Sequence, residues 1–135
     1  VTGIQLEVGS QATAFEHRSF GEELSLCQRY YYKHVDGNNQ DIGVGMMYNT
    51  SLCAFSVKFP VSMRAAPSLD YVSSSDAYTI YRNGASDPFT SMGIVRAHTN
   101  SAAIDTSTGT SGNEGVGTIL ATATSSGYIA FSSEL

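Results

Sequence analysis

Tryptophan is absent from the chain, cysteine occurs twice, histidine three times, and charged side chains make up 14% of it, against a usual fraction of about a quarter. Each shortage excludes something. Cys27 and Cys53 have 25 residues between them, which fits neither a disulfide-dense secreted scaffold nor a zinc-ligand spacing. Both sit in apolar patterns and read as small buried hydrophobes, with one disulfide as the alternative. His17, His34 and His98 never fall at i+2, i+3 or i+4, so no strand or helix presents two of them to a metal. The seven Lys and Arg are scattered singly and the net charge is −5. A phosphate backbone needs clustered positive charge, so nucleic acid is not an expected partner. No apolar run approaches the roughly 18 residues of a membrane span, and the opening residues lack the basic stretch and apolar core of a signal peptide. The first residue is Val rather than Met, so the reading expects a fragment of a longer chain.

What remains is a chain of 135 residues with 13 glycines, the size of one domain. A core of that size forms without metal or disulfides. One stretch reads as a helix. Ser19 with Glu22 three residues later makes a capping box, Glu23 adds a second acid, and Leu24, Cys27 and Tyr31 fall on one face, predicting a helix from Phe20 to roughly Arg29. Before it, residues 4–8 alternate like a strand, broken by Gly9-Ser10-Gln11. After Tyr30 everything reads as β structure. From Cys53 to Val61 the odd positions are all apolar, which is period 2 over nine residues. Further strands are predicted over Ile42–Tyr48, Ser68–Ser73, Ala77–Arg82, Ser91–His98, Gly117–Ala123 and Tyr128–Ser133. Short strands at this spacing predict a mainly β protein, an antiparallel β-sandwich of jelly-roll type with one short N-terminal helix. Residues 35–41 read as a tight Asx-rich connection. The stretch from Thr106 to Gly115 reads as a loop that is mobile or ordered by a neighbour.

The materials for catalysis are thin. Ser73-Ser-Ser75 and Ser125-Ser126 lack the strand–turn–helix setting of a nucleophile elbow. A glycosidase would need two of Asp70, Asp76, Asp87 and Asp105 to meet across a cleft, and no spacing favours it. Residues 36–41 offer oxygen groups but not the order of a calcium loop. Gly43-Val-Gly45 and Gly115-Val-Gly117 do not open helices and read as bulges or close-packed turns rather than nucleotide sites. No catalytic residue, metal or cofactor is therefore expected. The eight tyrosines are the distinctive chemistry: a flat apolar face with a rim hydroxyl suits a sugar ring or a protein interface. Tyr30-Tyr-Tyr32 cannot bury all three rings on one side of a strand, and Tyr78 and Tyr81 point to opposite faces.

Four segments carry a resemblance. Gln5-Leu-Glu-Val-Gly-Ser-Gln-Ala-Thr-Ala-Phe-Glu-His-Arg18 with Glu23-Leu-Ser-Leu-Cys-Gln-Arg-Tyr-Tyr-Tyr-Lys33 resembles a stretch near the C-terminus of tail fibres and tailspikes of tailed bacteriophages. Phe59-Pro-Val-Ser-Met-Arg-Ala-Ala-Pro67 and the ending Phe131-Ser-Ser-Glu-Leu135 are similar to those proteins as well. The resemblance implies a C-terminal fibre tip on the virion, a homotrimer that recognises a bacterial surface polysaccharide, with no enzymatic activity of its own. Residues 1–18 would be the trailing strand and linker of an upstream domain, 19–135 the receptor-binding tip, and residues 68–127 its variable, receptor-facing part. A structural module that trimerises or caps a tailspike, or a depolymerase, are the alternatives. For a glycan site the expected residues are Tyr78, Tyr81, Arg82, Asn83, Asp87, His98 and Asn100. Sparse charge suits protomers that bury faces against copies of themselves, with the strands near Met46, Met47, Met63 and Met92 expected at that contact or in the core.

Overall fold

The computed structural model of the protein describes residues 6, 8–11, 14, 18–108 and 110–133. The expected strand over residues 4–8 lies outside the described residues apart from Leu6 and Val8, which are exposed, and His17 lies outside them altogether. The helix starts where the capping box predicts. In α1 (Phe20–Gln28), the Glu22 amide donates to the Ser19 hydroxyl and the Ser19 amide donates back to the Glu22 carboxylate at 2.8 Å. What the sequence misplaces is the apolar row. No residue of α1 is buried, and Leu24, Leu26 and Cys27 are exposed. The expectation that Cys27 is a buried hydrophobe is therefore wrong, while Cys53 is fully buried and both thiols are free.

Ten strands follow among the described residues: β1 (Tyr31–Asp36), β2 (Asp41–Met47), β3 (Cys53–Lys58), β4 (Ser68–Tyr71), β5 (Tyr78–Arg82), β6 (Ala85–Phe89), β7 (Ser91–His98), β8 (Ser101–Thr108), β9 (Gly117–Thr122) and β10 (Tyr128–Ser132). They form an antiparallel three-stranded sheet, β1-β10-β4, and an antiparallel seven-stranded sheet, β6-β5-β9-β2-β3-β8-β7. The two edge strands of the larger sheet, β6 and β7, are separated in the chain by Thr90 alone. A single ribbon from Ala85 to His98 therefore pairs first with β5 and then with β8, and the sheet curls until its edges meet. Closure of this kind leaves few unpaired edge groups. Pro88 sits where the ribbon has only one neighbour, as a residue without an amide hydrogen must.

The smaller sheet covers the curled one, and one apolar cluster lies between them. Ile129, Ala130 and Phe131 of β10 are fully buried, as are Met47, Tyr78, Ile80 and Leu120 from the larger sheet. Aromatic rings join the layers: the Phe59 ring, just after β3, lies with its centroid 4.9 Å from that of Phe131 and 6.0 Å from that of Tyr32, and the last two stack on each other within the smaller sheet. His34 ties β1 to β2, its Nε2 lying 2.7 Å from the Ile42 carbonyl. A carbonyl only accepts, so Nε2 carries the proton, which leaves Nδ1 to accept from the Tyr32 hydroxyl in the neutral ring. As alternation requires within β1, Tyr31 faces outward while Tyr32 packs inside; Tyr30, in the turn before the strand, is exposed as well. Met47, Met63 and Met92 belong to the core, and of the four methionines only Met46 is exposed.

Three strands have no counterpart among those predicted, β1, β6 and β8, and the expected loop from Thr106 to Gly115 is shorter and better held than its composition suggests. β8 runs to Thr108. Thr110 is buried, its hydroxyl 3.1 Å from that of Thr106 and 2.7 Å from the Ser51 carbonyl. The amides of Gly112 and Gly115 donate to the carbonyls of Thr50 and Met47. Bonds to the β2–β3 connection, β2 and β8 thus hold Thr110, Gly112 and Gly115. Among the described residues no helix is long and apolar enough to cross a membrane.

Candidate functional site

Antiparallel order places the chain's features at two ends. β5, β2 and β8 run toward the β5–β6 turn and β3, β9 and β7 run away from it. One end therefore collects the β5–β6 turn, the β2–β3 connection and residues 110–116. The other collects α1, the β7–β8 turn and the end of β3, joined by the bonds from the Arg64 amide to the Arg29 carbonyl and from the Met63 amide to the Thr99 carbonyl.

At the first end Asn83 and Gly84 both have positive φ, 49° and 76°, and make the two-residue hairpin turn that an Asn-Gly pair favours. Beside it, on the outer face of the curled sheet, the register aligns Ser86, Tyr81, Ile119 and Val44 in one row across four strands. Tyr81 is 46% exposed, Ile119 51% and Val44 76%. Beside this row, two residues along β9 from Ile119, Gly117 stands opposite Met46 with open space where a Cβ would lie. The result is an open groove of about 720 Å³ with an apolar floor and a rim from Asn83, Gly84 and Ala85. Its chemistry is that of a flat ring, methyl groups, a hydroxyl and an amide.

Arg82 belongs to this end in a different way. It shares parity with Ile80, so its side chain turns inward and is only 13% exposed. There it pairs with Asp87 and donates to the Ser111 hydroxyl at 2.9 Å. Asp87 Oδ2 also accepts from the Ser111 amide and hydroxyl at 2.9 and 2.8 Å. Burial pushes the Asp87 carboxyl up, but the two Ser111 bonds and the Arg82 guanidinium outweigh it and hold the group below its ordinary value. Among the described residues the only buried side-chain nitrogen or oxygen without a hydrogen-bond partner is Arg82 Nε, against which Gly112 packs. This node pins residues 110–116 over the end of the curled sheet.

The seven residues expected at a glycan site fall into three groups. Tyr81, Arg82, Asn83 and Asp87 are together, with Tyr81 and Asn83 on the groove and the Arg82–Asp87 pair behind it. Tyr78 is corrected to a core residue: it is wholly buried, stacked on Phe89, and its hydroxyl donates to the Tyr128 carbonyl at 2.7 Å and accepts from the Val72 amide at 3.1 Å. His98 and Asn100 are exposed at the β7–β8 turn, at the opposite end from the groove. The bulge between Ile94 and Arg96 also breaks the parity that aligned His98 with Met92. Sequence reasoning missed Val44, Ser86, Gly117 and Ile119. The Gly43 bulge hid the first by shifting the alternation of β2, and the others become neighbours only through strand pairing.

Among the described residues no group of three or more His, Cys, Asp and Glu gathers to hold a metal. Burial pushes the Cys53 thiol up, and the sulfur is engaged with the Thr118 hydroxyl at 3.0 Å, which leaves it an unreactive core group. Of the aspartates, Asp87 is held by Arg82 and Ser111, and Asp70 accepts from the Tyr128 hydroxyl on the other sheet. In comparisons with known proteins, no family model matches this chain, and neither does a curated protein or a solved structure.

Proposed function

We propose that this protein is a non-enzymatic receptor-binding tip of a tailed-phage fibre, a homotrimer with a jelly-roll-like body on the virion that recognises a bacterial surface polysaccharide. The groove beside the β5–β6 turn is the contact site. The observation that carries the reading is the row Ser86–Tyr81–Ile119–Val44, an exposed ring and apolar floor edged by hydroxyl and amide groups. Such a surface accepts the apolar face of a sugar and hydrogen-bonds its rim hydroxyls. Because the guanidinium of Arg82 is already paired with Asp87, the groove offers no unpaired cation of its own, which suits a neutral residue of the glycan.

A second line of support is spatial. The described parts of three segments that resemble phage fibres, within residues 23–33, 59–67 and 131–133, lie apart in the sequence and pack together in the fold. Tyr32, Phe59 and Phe131 form one aromatic cluster, the Ser133 amide donates to the Tyr30 carbonyl, and Arg64 lies 5.6 Å over the Tyr30 ring. They form the end where α1 enters. The groove lies at the far end, built mostly from residues 68–127. A fibre tip that enters at one end and reads receptors at the other is arranged in this way.

Glycan arrays and adsorption to bacterial cells test the proposal. Tyr81→Ala is expected to weaken binding about tenfold or more, the worth of a stacking face and its buried area, while thermal unfolding stays within a few degrees of the parent. Failure of the parent protein to bind any glycan or host surface overturns it. The same exposed row also suits a protein face, which favours a structural trimerising or capping module as the second reading. That reading is supported if Tyr81→Ala lowers the assembled mass in light scattering and leaves adsorption unchanged. Release of reducing ends from capsule or lipopolysaccharide would instead establish a depolymerase.

A further inference from the structure

Strands β3, β8 and β7 carry a second patch on the outer face of the curled sheet. Their register sets three rows: Lys58–Ser101–His98, Ser56–Ala103–Arg96 and Ala54–Asp105–Gly93. The middle strand contributes the short side chains of Ser101 and Ala103, so a trough follows β8 between Lys58 on one bank and Arg96 and His98 on the other. At its Asp105 end the trough deepens into a pocket of about 280 Å³, floored by Ala54 and Ala103 and walled by Tyr48, 69% exposed, and Val95, 51% exposed. The bulge between Ile94 and Arg96 makes this site. Regular alternation from Ile94, which faces the buried Ile104, would carry Arg96 to the inner face, and the extra residue returns it to the outer face opposite Ala103.

The charges here lack partners. Arg18, Lys33 and Arg82 each sit against an acid, whereas among the described residues the side chains of Lys58, Arg96 and Asp105 make no hydrogen bond or ion pair. In a chain of net charge −5, two unpaired cations on adjoining rows of one face draw an anion to it. Arg96 and Asp105 stand on neighbouring strands, offset by two residues or about 7 Å along β8, which leaves room for one ligand to meet both. An arginine without an acid presents a planar fork that matches a carboxylate. The rest of the pocket decides what carries that carboxylate. Asp105 only accepts, so the ligand brings donors to it. Tyr48, Val95 and the alanine floor present apolar surface to a flat ring. An acid on one side, hydroxyl donors on the other and an apolar C–H face between them describe a hexuronate. A bare anion would leave Asp105 and Tyr48 unused, and an acidic peptide side chain brings no hydroxyls.

We propose that this pocket binds a uronic-acid residue, with Arg96 on the carboxylate, Asp105 on the ring hydroxyls and Tyr48 against the ring, while Lys58 in the adjoining row extends the positive field along the trough. The site goes beyond the groove, with which it shares no lining residue. It rests on the polysaccharide reading only for the source of such a sugar: an acidic receptor would place a neutral residue in the groove and a uronate here.

The test titrates the isotope-labelled full chain with sodium D-glucuronate, D-galacturonate and D-mannuronate and follows its amide signals by NMR. At least one uronate is expected to shift the signals of Tyr48, Arg96 and Asp105 with a midpoint of about a millimolar, the affinity of a single sugar ring, while glucose, galactose and mannose at equal concentration leave them in place. Arg96→Gln should raise that midpoint about tenfold or more, the worth of charge-assisted hydrogen bonds to a carboxylate. Arg96→Lys, which keeps the charge without the fork, should fall between, with the remaining spectrum of both variants reporting an intact fold. Tyr81→Ala in the groove should not move the titration. The site is overturned if no uronate shifts these signals, if Arg96→Gln titrates like the parent, if acetate alone gives the same shifts, or if tetraglutamate binds as well as the uronates, which would mark a face for acidic peptides. A parent that adsorbs to cells yet responds to no uronate overturns this site and leaves the groove reading standing. A parent that binds a uronate but adsorbs to no host surface supports the site and overturns the fibre-tip reading.

Discussion

A hydroxyl held between two backbone groups makes Tyr78 a residue from which one atom can be removed with a predictable result. Tyr78→Phe leaves the ring on Phe89 but strands the Val72 amide and the Tyr128 carbonyl. Two buried partners left unsatisfied should cost about 2–4 kcal/mol, read as a lower urea midpoint at unchanged slope. The hydroxyl also has a pH signature. Burial pushes its pKa up from the ordinary 10.0 to about 12, so the folded chain keeps a proton that the unfolded chain releases. Its share of stability is complete below pH 10 and is lost as pH rises toward about 12. The variant should lose that part of the alkaline slope, while Tyr32 and Tyr128, whose values are also raised, retain theirs. Gly45 offers a steric counterpart. A Cβ there would lie 2.6 Å from the Ala54 carbonyl oxygen and 3.0 Å from Phe55 Cβ, whereas one at Gly117 meets nothing within 4 Å. Gly45→Ala should therefore destabilise by about 1–3 kcal/mol in thermal melts, and Gly117→Ala should be nearly neutral to folding while filling the groove's hollow.

The segment over residues 110–116 shows how an element of poor packing residues is fixed by polar groups placed elsewhere. Ser111 donates to Asp87, Thr110 donates to the Ser51 carbonyl, and both bonds cross long stretches of sequence. Asp87→Asn keeps the shape but turns an amide toward Arg82, leaving a largely buried guanidinium without its acid, and should cost about 1–3 kcal/mol. Because the Asp87 carboxyl titrates below its ordinary 3.8, the stability it contributes is present above pH 3.8 and is lost as pH falls through the folded value. Acid unfolding of Asp87→Asn should be shallower in that range, and hydrogen exchange at Gly112 and Gly115 should rise. The same pair explains what the sequence could and could not disclose. Helix α1, strand β3 and the Asn83-Gly84 turn were legible because capping, alternation and turn chemistry are local. β6 was not, because Pro88 and its small residues have low strand propensity and are held by β5. β8 was not, because its alanines serve a tightly packed position where Ala102 is buried. The groove was half legible, since Tyr81 and Asn83 lie next to a readable turn while Val44 and Ile119 join it only through register.

At the scale of the molecule the decisive strand is the last one. β10 lies in the centre of the smaller sheet, paired with β1 near the start of the domain and with β4 in the middle, and three of its five residues are fully buried. Its removal would separate β1 from β4 and open the inner face of the curled sheet to water, exposing Ile80, Leu120 and Tyr78. Local pairing does not compensate, because five of the eight strand pairings join residues distant in sequence, such as Asp41 with Ala121 and Tyr31 with Ser132, and both pairings of β10 are among them. Such topologies gain their stability late and as a unit. A chain ending at residue 127 is therefore expected to show no cooperative thermal transition and no native near-ultraviolet signal. Phe131→Ala in the full chain should fold but lose about 3–5 kcal/mol. A truncated chain that melts cooperatively would mean that the curled sheet is stable alone and that the smaller sheet is an addition to it. The protein would then be a barrel carrying a separate cover rather than two layers around one core.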